Sequence, residues 1–248
     1  MKSTPDTPPG QAAAQPSADK VAAAVADPRR PIEDLQEDAF RHPAELVAFS
    51  RIKPGDMVVD VWPGKGYWTR IFSTLVGPKG KVYAYVPAEI AGLKANPLEF
   101  TRAIAGEPGR GNVEASSRPL SEQPPEAAYN TFDLFWTFEN YHDLHDSFMK
   151  GADVGAFNAA IFKLLKPGGY YVVADHAATP GSGLQNTEDL HRIDPAAVKA
   201  EVENAGFVLD GETKVIADAD DDHISRSVDP AMHGKTDRFV FRFRKPND

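Results

Sequence analysis

The stretch VVDVWPGKGYWT at residues 58–69 decides the fold of this chain. It begins as a short apolar strand, passes through a turn that contains Gly64 and Gly66, and continues into a helix with apolar residues at helical spacing. A strand that ends in glycines and turns directly into a helix brings bare backbone and a helix N-terminus to one point. Such a point attracts negative charge and lets a ligand approach the main chain closely. A purely structural turn would use the same glycines, so the surrounding pattern must decide between the two.

Strand and helix patterns alternate on both sides of this turn. A helix opens at His42-Pro43, and the strands are predicted at residues 57–61, 81–86, 112–116, 132–138, 170–174, 207–216 and 238–244, with helices between most of them. Such alternation predicts a parallel sheet with helices on both faces. The loop at 217–237 carries no clear helix, so the last two strands are expected to pair antiparallel. We therefore expect an α/β fold: a doubly wound, seven-stranded, mostly parallel sheet whose last strand is antiparallel, with helices on both faces.

The N-terminal 30 residues have a different composition from the rest of the chain. They are rich in Pro, Ala, Ser and Asp, which bury too little apolar surface to offset the entropy of an ordered chain. Ser17 and the alanines that follow favour a short helix up to Ala26. We expect residues 1–30 to form a disordered or weakly helical tail and residues 31–248 to form one domain.

The composition is that of an ordinary globular protein with an acidic balance. Of the 248 residues 42% are hydrophobic, and 27 Lys and Arg face 36 Asp and Glu, which gives a formal charge of -9. A negative field repels phosphate backbones and disfavours a nucleic-acid partner. The absence of cysteine excludes disulfides, thiolate nucleophiles and cysteine-ligated metals. No apolar run reaches the length of about 18 residues that a membrane-spanning helix needs.

No apolar signal segment follows Met1-Lys2. We therefore expect a cytoplasmic location, or a periplasmic one if an export signal has been removed. The sequence does not define the oligomeric state.

The glycine turn resembles the first motif of the class I, Rossmann-like S-adenosylmethionine-dependent methyltransferases. In that motif an acidic residue at the end of the first strand precedes a glycine turn, and Asp60, Gly64 and Gly66 match it. Trp62 and Pro63 replace the usual first glycine and its neighbour. The variant PGKGYWT is similar to a group of bacterial proteins labelled only as predicted methyltransferases, and the resemblance covers roughly residues 30–246. It implies S-adenosyl-L-methionine as cofactor and methyl transfer to an oxygen or nitrogen nucleophile of a small molecule.

The resemblance also implies where the cofactor binds. The turn segment supplies most of the implied contacts, namely Asp60, Trp62, Pro63, Gly64, Gly66, Tyr67 and Thr69. Glu139 and Asn140, after the fourth strand, would line its methionine part, and Arg41 would contact its carboxylate. The position that usually binds the ribose with an acidic side chain is Val86 here. Either Glu89 substitutes for that side chain, or backbone and water hold the ribose.

Polar residues follow the fourth and fifth strands, where ligands bind in doubly wound sheets. Tyr141 and His142 would reach the substrate, and His176 ends the fifth strand. Histidine accepts protons readily at neutral pH, so His142 is the first candidate base and His176 the second. The alternative for each is an ordinary hydrogen-bonded or solvated histidine. The HDLHD run at 142–146 suggests a metal site, but its ligands crowd one loop, and we predict no metal.

Three further loops carry polar residues. The connection at 176–193 is expected to be either a lid, in which His191 and Arg192 bind a substrate anion, or a surface loop. The stretch from Asp218 to His223 is interpreted as a solvated loop rather than a calcium site. Asp237 and Arg238 are expected to pair with each other across a hairpin.

Two alternative functions remain. A dinucleotide-dependent oxidoreductase would need a third glycine where Thr69 stands and an acidic ribose ligand where Val86 stands. A non-catalytic S-adenosylmethionine-binding module would tolerate Trp62, Pro63 and Val86. A nucleic-acid base acceptor is disfavoured because the segment 139–141 lacks the two prolines of base-methylating relatives.

Overall fold

The computed structural model describes residues 17–90, 97–120, 122, 125–149 and 152–247. Within these residues seven strands form one sheet: β1 Met57–Val61, β2 Lys81–Pro87, β3 Val113–Arg118, β4 Phe132–Phe138, β5 Leu165–His176, β6 Val208–Thr213 and β7 Arg238–Arg244. Their order is β3-β2-β1-β4-β5-β7-β6. Strands β1 to β5 pair in parallel, whereas β7 is antiparallel to both β5 and β6. The expected doubly wound, mostly parallel sheet with an antiparallel last strand is confirmed.

Eight α-helices occur in the described residues: α1 Ala18–Val25, α2 Ile32–Arg41, α3 Pro43–Ser50, α4 Tyr67–Val76, α5 Pro97–Ala105, α6 Val154–Leu164, α7 Thr187–Leu190 and α8 Pro195–Asn204. Short 3₁₀ turns add Gly77–Lys79, Ala88–Ile90, Glu126–Ala128, His142–His145 and Pro230–Met232. The helix expected at 91–103 begins at Pro97 in the described part, and residues 91–96 lie outside it. The strand expected at 207–216 is shorter and spans Val208–Thr213, with a register shift against β7 between Leu209 and Gly211.

Two hydrophobic clusters cover the two faces of the sheet. Side chains alternate along β1, so Val58 packs with α1, α3 and α4, whereas Val59 and Val61 pack on the opposite face with α6 and α8. From β1 the chain adds β2 and β3 on one side and then crosses to β4 on the other side, so the strand order reverses between β1 and β4. In doubly wound sheets ligands bind beyond the carboxyl ends of the strands at such a switch point. We therefore expect the ligand site at the loops that follow β1 and β4.

The described part of the N-terminal segment is more ordered than a tail. Residues 18–25 are helical as expected, although the Ser17 side chain makes no capping hydrogen bond. Val21 and Ala24 are buried in the same cluster as α3 and α4, and Asp27 and Arg30 are also buried. The described residues 17–30 therefore pack on the sheet domain, and the domain boundary expected at residue 30 stays a prediction. Within the described residues no helix is both long and apolar enough to cross a membrane.

Candidate functional site

Two adjoining cavities open at the carboxyl ends of β1, β4 and β5. The first has a volume of about 380 Å³ and is lined by Glu33, Asp34, Glu37, Arg41, Asp60, Val61, Trp62, Pro63, Gly64, Lys65, Tyr67, Trp68, Phe138, Glu139, Asn140 and Asp143. The second has a volume of about 370 Å³ and includes His142, His176, His191, Thr236 and Arg238 in its wall. Both volumes fall in the range of small-molecule sites. The two cavities share Glu37, Arg41, Glu139 and Asp143, so a continuous cleft runs from the glycine turn to the histidines.

The glycine turn forms the floor of the first cavity. Trp62, Gly64 and Gly66 all have left-handed backbone conformations, with φ of 53°, 56° and 86°. Trp62 lines the cavity without filling it, and its ring packs edge-on against Phe148. Asn140 Nδ2 donates to the Trp62 carbonyl at 3.2 Å, which ties the end of β4 to the turn.

The two glycines of the turn do different things. A Cβ at Gly64 would meet no atom within 4 Å, and Gly64 lines the cavity. A Cβ at Gly66 would lie 1.9 Å from Ile104 Cδ1. Gly66 was expected to contact the cofactor, but it does not line the first cavity; it lets α4 pack closely against α5.

Asp60 and Thr69 form a buried pair beneath the turn. Asp60 lines the cavity, and its Oδ2 accepts a hydrogen bond of 2.5 Å from Thr69 Oγ1. Burial raises the pKa of Asp60 to about 7, against the opposing effect of the Thr69 hydrogen bond. Thr69 is fully buried and is not part of the cavity wall. The structure thus places Thr69, an expected cofactor contact, behind Asp60 as the residue that orients its carboxyl group.

The first turn of α4 connects the cavity to the N-terminal helices. Tyr67 lines the cavity, and its hydroxyl donates to Asp38 Oδ1 at 2.6 Å. Arg30 donates to the same oxygen at 2.6 Å and is buried. The guanidinium of Arg41 lies 4.8 Å from the centre of the Tyr67 ring, and Arg41 lines the cavity. Its contact with the cofactor carboxylate stays a prediction.

Glu139 lies where the two cavities meet and is held by two arginines. Its Oε1 accepts from Arg238 at 2.8 Å, and its Oε2 is 3.7 Å from Arg41. Burial alone would raise the pKa of Glu139, but Arg41, His176 and Arg238 outweigh it and lower the pKa to about 2. Its backbone is left-handed, with φ of 59°. Glu139 is therefore a fixed anion in the cleft.

Arg238 is a site residue that the sequence analysis missed. It was expected to pair with Asp237, but Asp237 instead contacts His223 at 3.0 Å, and Arg238 points into the cleft. In the antiparallel register Arg238 lies opposite His176. The sequence does contain a signal for this position. Arg238 is the first residue of a strand predicted to be antiparallel, and such a strand begins at the edge of the sheet where its parallel neighbours end.

His142 is buried in the wall of the second cavity between two carboxylates. Its Nδ1 is 2.8 Å from Asp175 Oδ1, and its Nε2 is 3.3 Å from Asp143 Oδ1. Burial alone would lower the pKa of His142, but Asp175 and Asp143 outweigh it and raise the pKa well above its usual value. Both ring nitrogens are thus next to carboxylate oxygens.

His176 has a different environment in the same cavity. Its Nδ1 is 2.9 Å from the Thr236 hydroxyl, and its backbone N–H donates to Asp175. Burial lowers the pKa of His176, which favours the neutral ring. The rings of His142 and His176 lie 6.2 Å apart between centroids. The structure brings both candidate bases together.

Tyr141 does not reach the cleft. Its side chain is fully buried on the other side of the loop, where its hydroxyl donates to Glu201 at 3.0 Å and accepts from Asn158 at 2.8 Å. The expectation that Tyr141 contacts the substrate is therefore not met, because neighbouring residues in this loop point in opposite directions.

The ribose candidates lie apart from the cavities. Val86 is fully buried. One carboxylate oxygen of Glu89, Oε1, accepts from the Leu120 amide at 3.0 Å, and Glu89 lines neither cavity. Residues 91–96, which follow it directly, lie outside the described residues. A ribose contact from Glu89 stays a prediction.

The connection at 176–193 contributes one residue of the expected pair. His191 lines the second cavity. Arg192 is fully buried and binds Asp221 through two contacts of 2.6 and 3.0 Å. Arg192 is thus not free to bind a substrate anion. Asp221, expected in a solvated loop, is buried by the same pairing.

Comparisons with known proteins bear on the fold of the chain. No protein-family profile matches the chain. The chain is similar to the ubiquinone/menaquinone biosynthesis C-methyltransferase UbiE of Teredinibacter turnerae, with 29% identity over 147 residues, which cover 58% of this chain and 53% of that protein. The chain spans about half the length of this curated relative.

Two solved structures extend the comparison to nearly the whole chain. A SAM-dependent methyltransferase from Aquifex aeolicus superposes with a TM-score of 0.61 and 19% identity, over 92% of this chain and 98% of that one. A geranyl diphosphate methyltransferase in complex with SAM superposes with a TM-score of 0.54 and 15% identity, over 90% and 94%. The chain therefore has the fold of the class I S-adenosylmethionine-dependent methyltransferases.

Proposed function

We propose that this protein is an enzyme that transfers a methyl group from S-adenosyl-L-methionine to an oxygen or nitrogen nucleophile of a small molecule. The observation that carries the proposal is the acid-lined first cavity directly above the Gly64 turn. Two solved neighbours of the same fold are named as methyltransferases, and one of them is in complex with SAM. The UbiE relative is named as a C-methyltransferase, so carbon nucleophiles are tested as acceptors alongside oxygen and nitrogen nucleophiles.

The charges of the first cavity suit this cofactor better than a dinucleotide. Six acidic residues line it, namely Glu33, Asp34, Glu37, Asp60, Glu139 and Asp143, against the two basic residues Arg41 and Lys65. S-adenosylmethionine carries a sulfonium and an ammonium group, which the carboxylates would attract. The pyrophosphate of a dinucleotide would be repelled by the same carboxylates. The acidic lining of the first cavity therefore favours the methyltransferase over the oxidoreductase.

The residues of the cavity fit the parts of the cofactor. Gly64 leaves room for close approach to the main chain, as an adenosyl group requires. Asp60 and Glu139 offer carboxylates for the cationic groups, and Arg41 is available for the cofactor carboxylate. Asn140 uses its amide to hold the turn, so its role is to support the cavity floor.

The reaction needs an acceptor that loses a proton. The lone pair of the acceptor atom attacks the methyl carbon, the carbon–sulfur bond breaks towards sulfur, and S-adenosylhomocysteine leaves as a neutral thioether. We assign the role of proton acceptor to His176, because Thr236 contacts only one of its two ring nitrogens, Nδ1. His142 ranks second, because both of its ring nitrogens already face carboxylates.

Calorimetry on the full chain tests the proposal. S-adenosylmethionine and S-adenosylhomocysteine should bind, and NADH should not. Turnover is then followed as S-adenosylhomocysteine release with panels of small phenols, amines and carbon acids. Binding of NADH alone would favour the oxidoreductase. Binding of the methyl donor without turnover on any acceptor would favour the non-catalytic module.

The class of acceptor is the finer part of the proposal. The negative net charge and the acidic cleft support a small molecule over a nucleic acid. An RNA oligonucleotide in the acceptor panel checks this, and methylation of it would overturn that part. The cytoplasmic location expected from the sequence stays a prediction.

A further inference from the structure

Three side chains from two separate loops meet at the wall of the second cavity. His142 and Asp143 lie in the 3₁₀ turn after β4, and His191 follows α7. One potential ligand atom from each residue lies within 4.8 Å of the others. No metal was predicted from the sequence, because the candidate ligands at 142–146 all lie in one loop. His191 removes that objection, since it joins the cluster from a segment almost 50 residues further along the chain.

The spacing of these atoms is close to that around a metal ion. Asp143 Oδ1 is 3.3 Å from His142 Nε2 and 3.7 Å from His191 Nδ1. Ligand atoms that bind one ion at about 2.1 Å stand roughly 3–3.5 Å apart in tetrahedral or octahedral geometry. The ligand atoms of His142 and His191 lie within 4.8 Å of each other, so a rotation of the His191 ring that shortens this distance would place the three atoms around a shared ion.

A second, independent feature supports a ligand role for His142. Its other ring nitrogen, Nδ1, lies 2.8 Å from Oδ1 of the fully buried Asp175. Asp175 is itself held in place by the backbone N–H groups of His142 and His176. Metal-binding histidines commonly donate their second N–H to such a carboxylate, which fixes the ring and aims the other nitrogen at the ion. Here that nitrogen is Nε2, which faces Asp143.

The third residue is also held in place. The loops that carry the cluster are joined by Ser147, whose N–H and hydroxyl both donate to Glu188, at 2.6 and 2.9 Å. The His191 carbonyl accepts from the Ser227 hydroxyl at 2.8 Å. The backbone that carries His191 is thus fixed relative to the turn that carries His142 and Asp143, while the cavity on the open side of the cluster leaves room for further ligands.

We propose that His142, Asp143 and His191 bind a divalent transition metal ion. Two imidazoles and one carboxylate suit Zn²⁺, Fe²⁺ or Mn²⁺ and leave coordination positions open towards the second cavity. Resting on the proposed function, the ion would hold an acceptor oxygen there and promote loss of its proton. The deprotonated oxygen would then attack the methyl carbon, the carbon–sulfur bond would break towards sulfur, and the proton would pass to His176. The acceptor class is therefore a hydroxyl compound.

Metal binding to the full chain tests this proposal without any turnover. Protein stripped with a chelator is titrated with Zn²⁺ by calorimetry and with Co²⁺ by visible absorption. We expect one ion per chain. His191→Ala and Asp143→Asn should abolish binding, and Asp175→Asn should weaken it by about 10–100-fold. The matched control is His145→Gln, because His145 lies in the same turn but contacts Glu201 at 3.2 Å; this variant should bind the ion like the wild type.

The outcomes separate this proposal from the function on which it rests. Substoichiometric binding, or equal binding by His191→Ala, would overturn the metal site. His191 is partly exposed, so its variant should fold, and circular dichroism checks this. S-adenosylhomocysteine is titrated into the same samples. A protein that binds the ion but does not bind S-adenosylhomocysteine would refute the proposed function alone. A protein that binds S-adenosylhomocysteine but does not bind the ion would refute the metal site alone.

Discussion

At the scale of single residues, the buried carboxyl group of Asp60 lines the first cavity. Burial raises its pKa to about 7, so its charge changes near neutral pH. A cationic ligand binds the ionised form, and the affinity for S-adenosylhomocysteine, which keeps the ammonium group, should rise about tenfold between pH 6 and 8. Asp60→Asn should remove this pH dependence, whereas Glu212→Gln on the exposed surface should not. Calorimetry at several pH values measures both, and a flat wild-type profile would contradict the assignment.

The same residue affects folding with the opposite sign. A carboxyl group whose pKa is raised in the folded state stabilises the fold at low pH, and this contribution is lost as the pH rises through about 7. At pH 8 the Asp60→Asn variant should therefore melt at a higher temperature than the wild type. Near pH 4 the difference should vanish, because the carboxyl group of the folded protein is then protonated.

The two glycines of the turn give a second prediction at this scale. Gly66→Ala forces a Cβ to within 1.9 Å of Ile104 Cδ1 on a left-handed backbone, so it should lower the free energy of unfolding by about 2–4 kcal/mol. Gly64→Ala meets no neighbouring atom and should cost only about 1 kcal/mol from its left-handed backbone. It should nevertheless weaken cofactor binding. Urea unfolding and calorimetry separate the two effects, and equal unfolding energies would contradict the packing role of Gly66.

At the scale of elements, the cleft depends on loops that are held by buried ion pairs. Arg192 and Asp221 join the connection after β5 to the loop before β7, and neither side chain is exposed. Burial alone would raise the pKa of Asp221, but Arg192 outweighs it and the pKa is lowered. The pair therefore stabilises the fold above about pH 4 and loses this effect as the pH falls.

Removing one partner of this pair leaves a buried charge without compensation. Asp221→Asn should cost about 3–5 kcal/mol at pH 7. The exposed pair between Arg118 and Glu122 provides the matched control, and Arg118→Ala should cost less than about 1 kcal/mol. Urea unfolding gives both values. Similar costs for the two variants would show that burial does not decide the strength of these pairs.

At the scale of the whole molecule, the N-terminal helix belongs to the architecture of the cleft. Val21 is buried against α3 and α4, and Arg30 supports Asp38, which binds the Tyr67 hydroxyl in the cavity wall. Deletion of residues 1–30 should therefore destabilise the protein by about 3–5 kcal/mol and weaken S-adenosylhomocysteine binding. Lys20→Ala, on the exposed side of α1, should change neither property. A truncated chain with unchanged melting temperature and affinity would refute this coupling.

The amino-acid sequence by itself determined the strands, most of the helices, the glycine turn with Asp60, and the antiparallel last strand. These features are encoded locally, because apolar periodicity and turn residues specify an element from its own residues. It also placed Glu139, His142 and His176 near one another, since parallel strands end at the same edge of the sheet.

Only the tertiary structure decided which loop side chains enter the cleft. Tyr141 and His142 are adjacent, yet one points into the core and the other lines a cavity. Arg238 reaches Glu139, and His191 reaches Asp143, across long stretches of chain. Loop side chains have no periodicity, so their directions follow from packing and charge pairing with distant residues. A single sequence does not contain those pairings in a readable form, and the fold creates them.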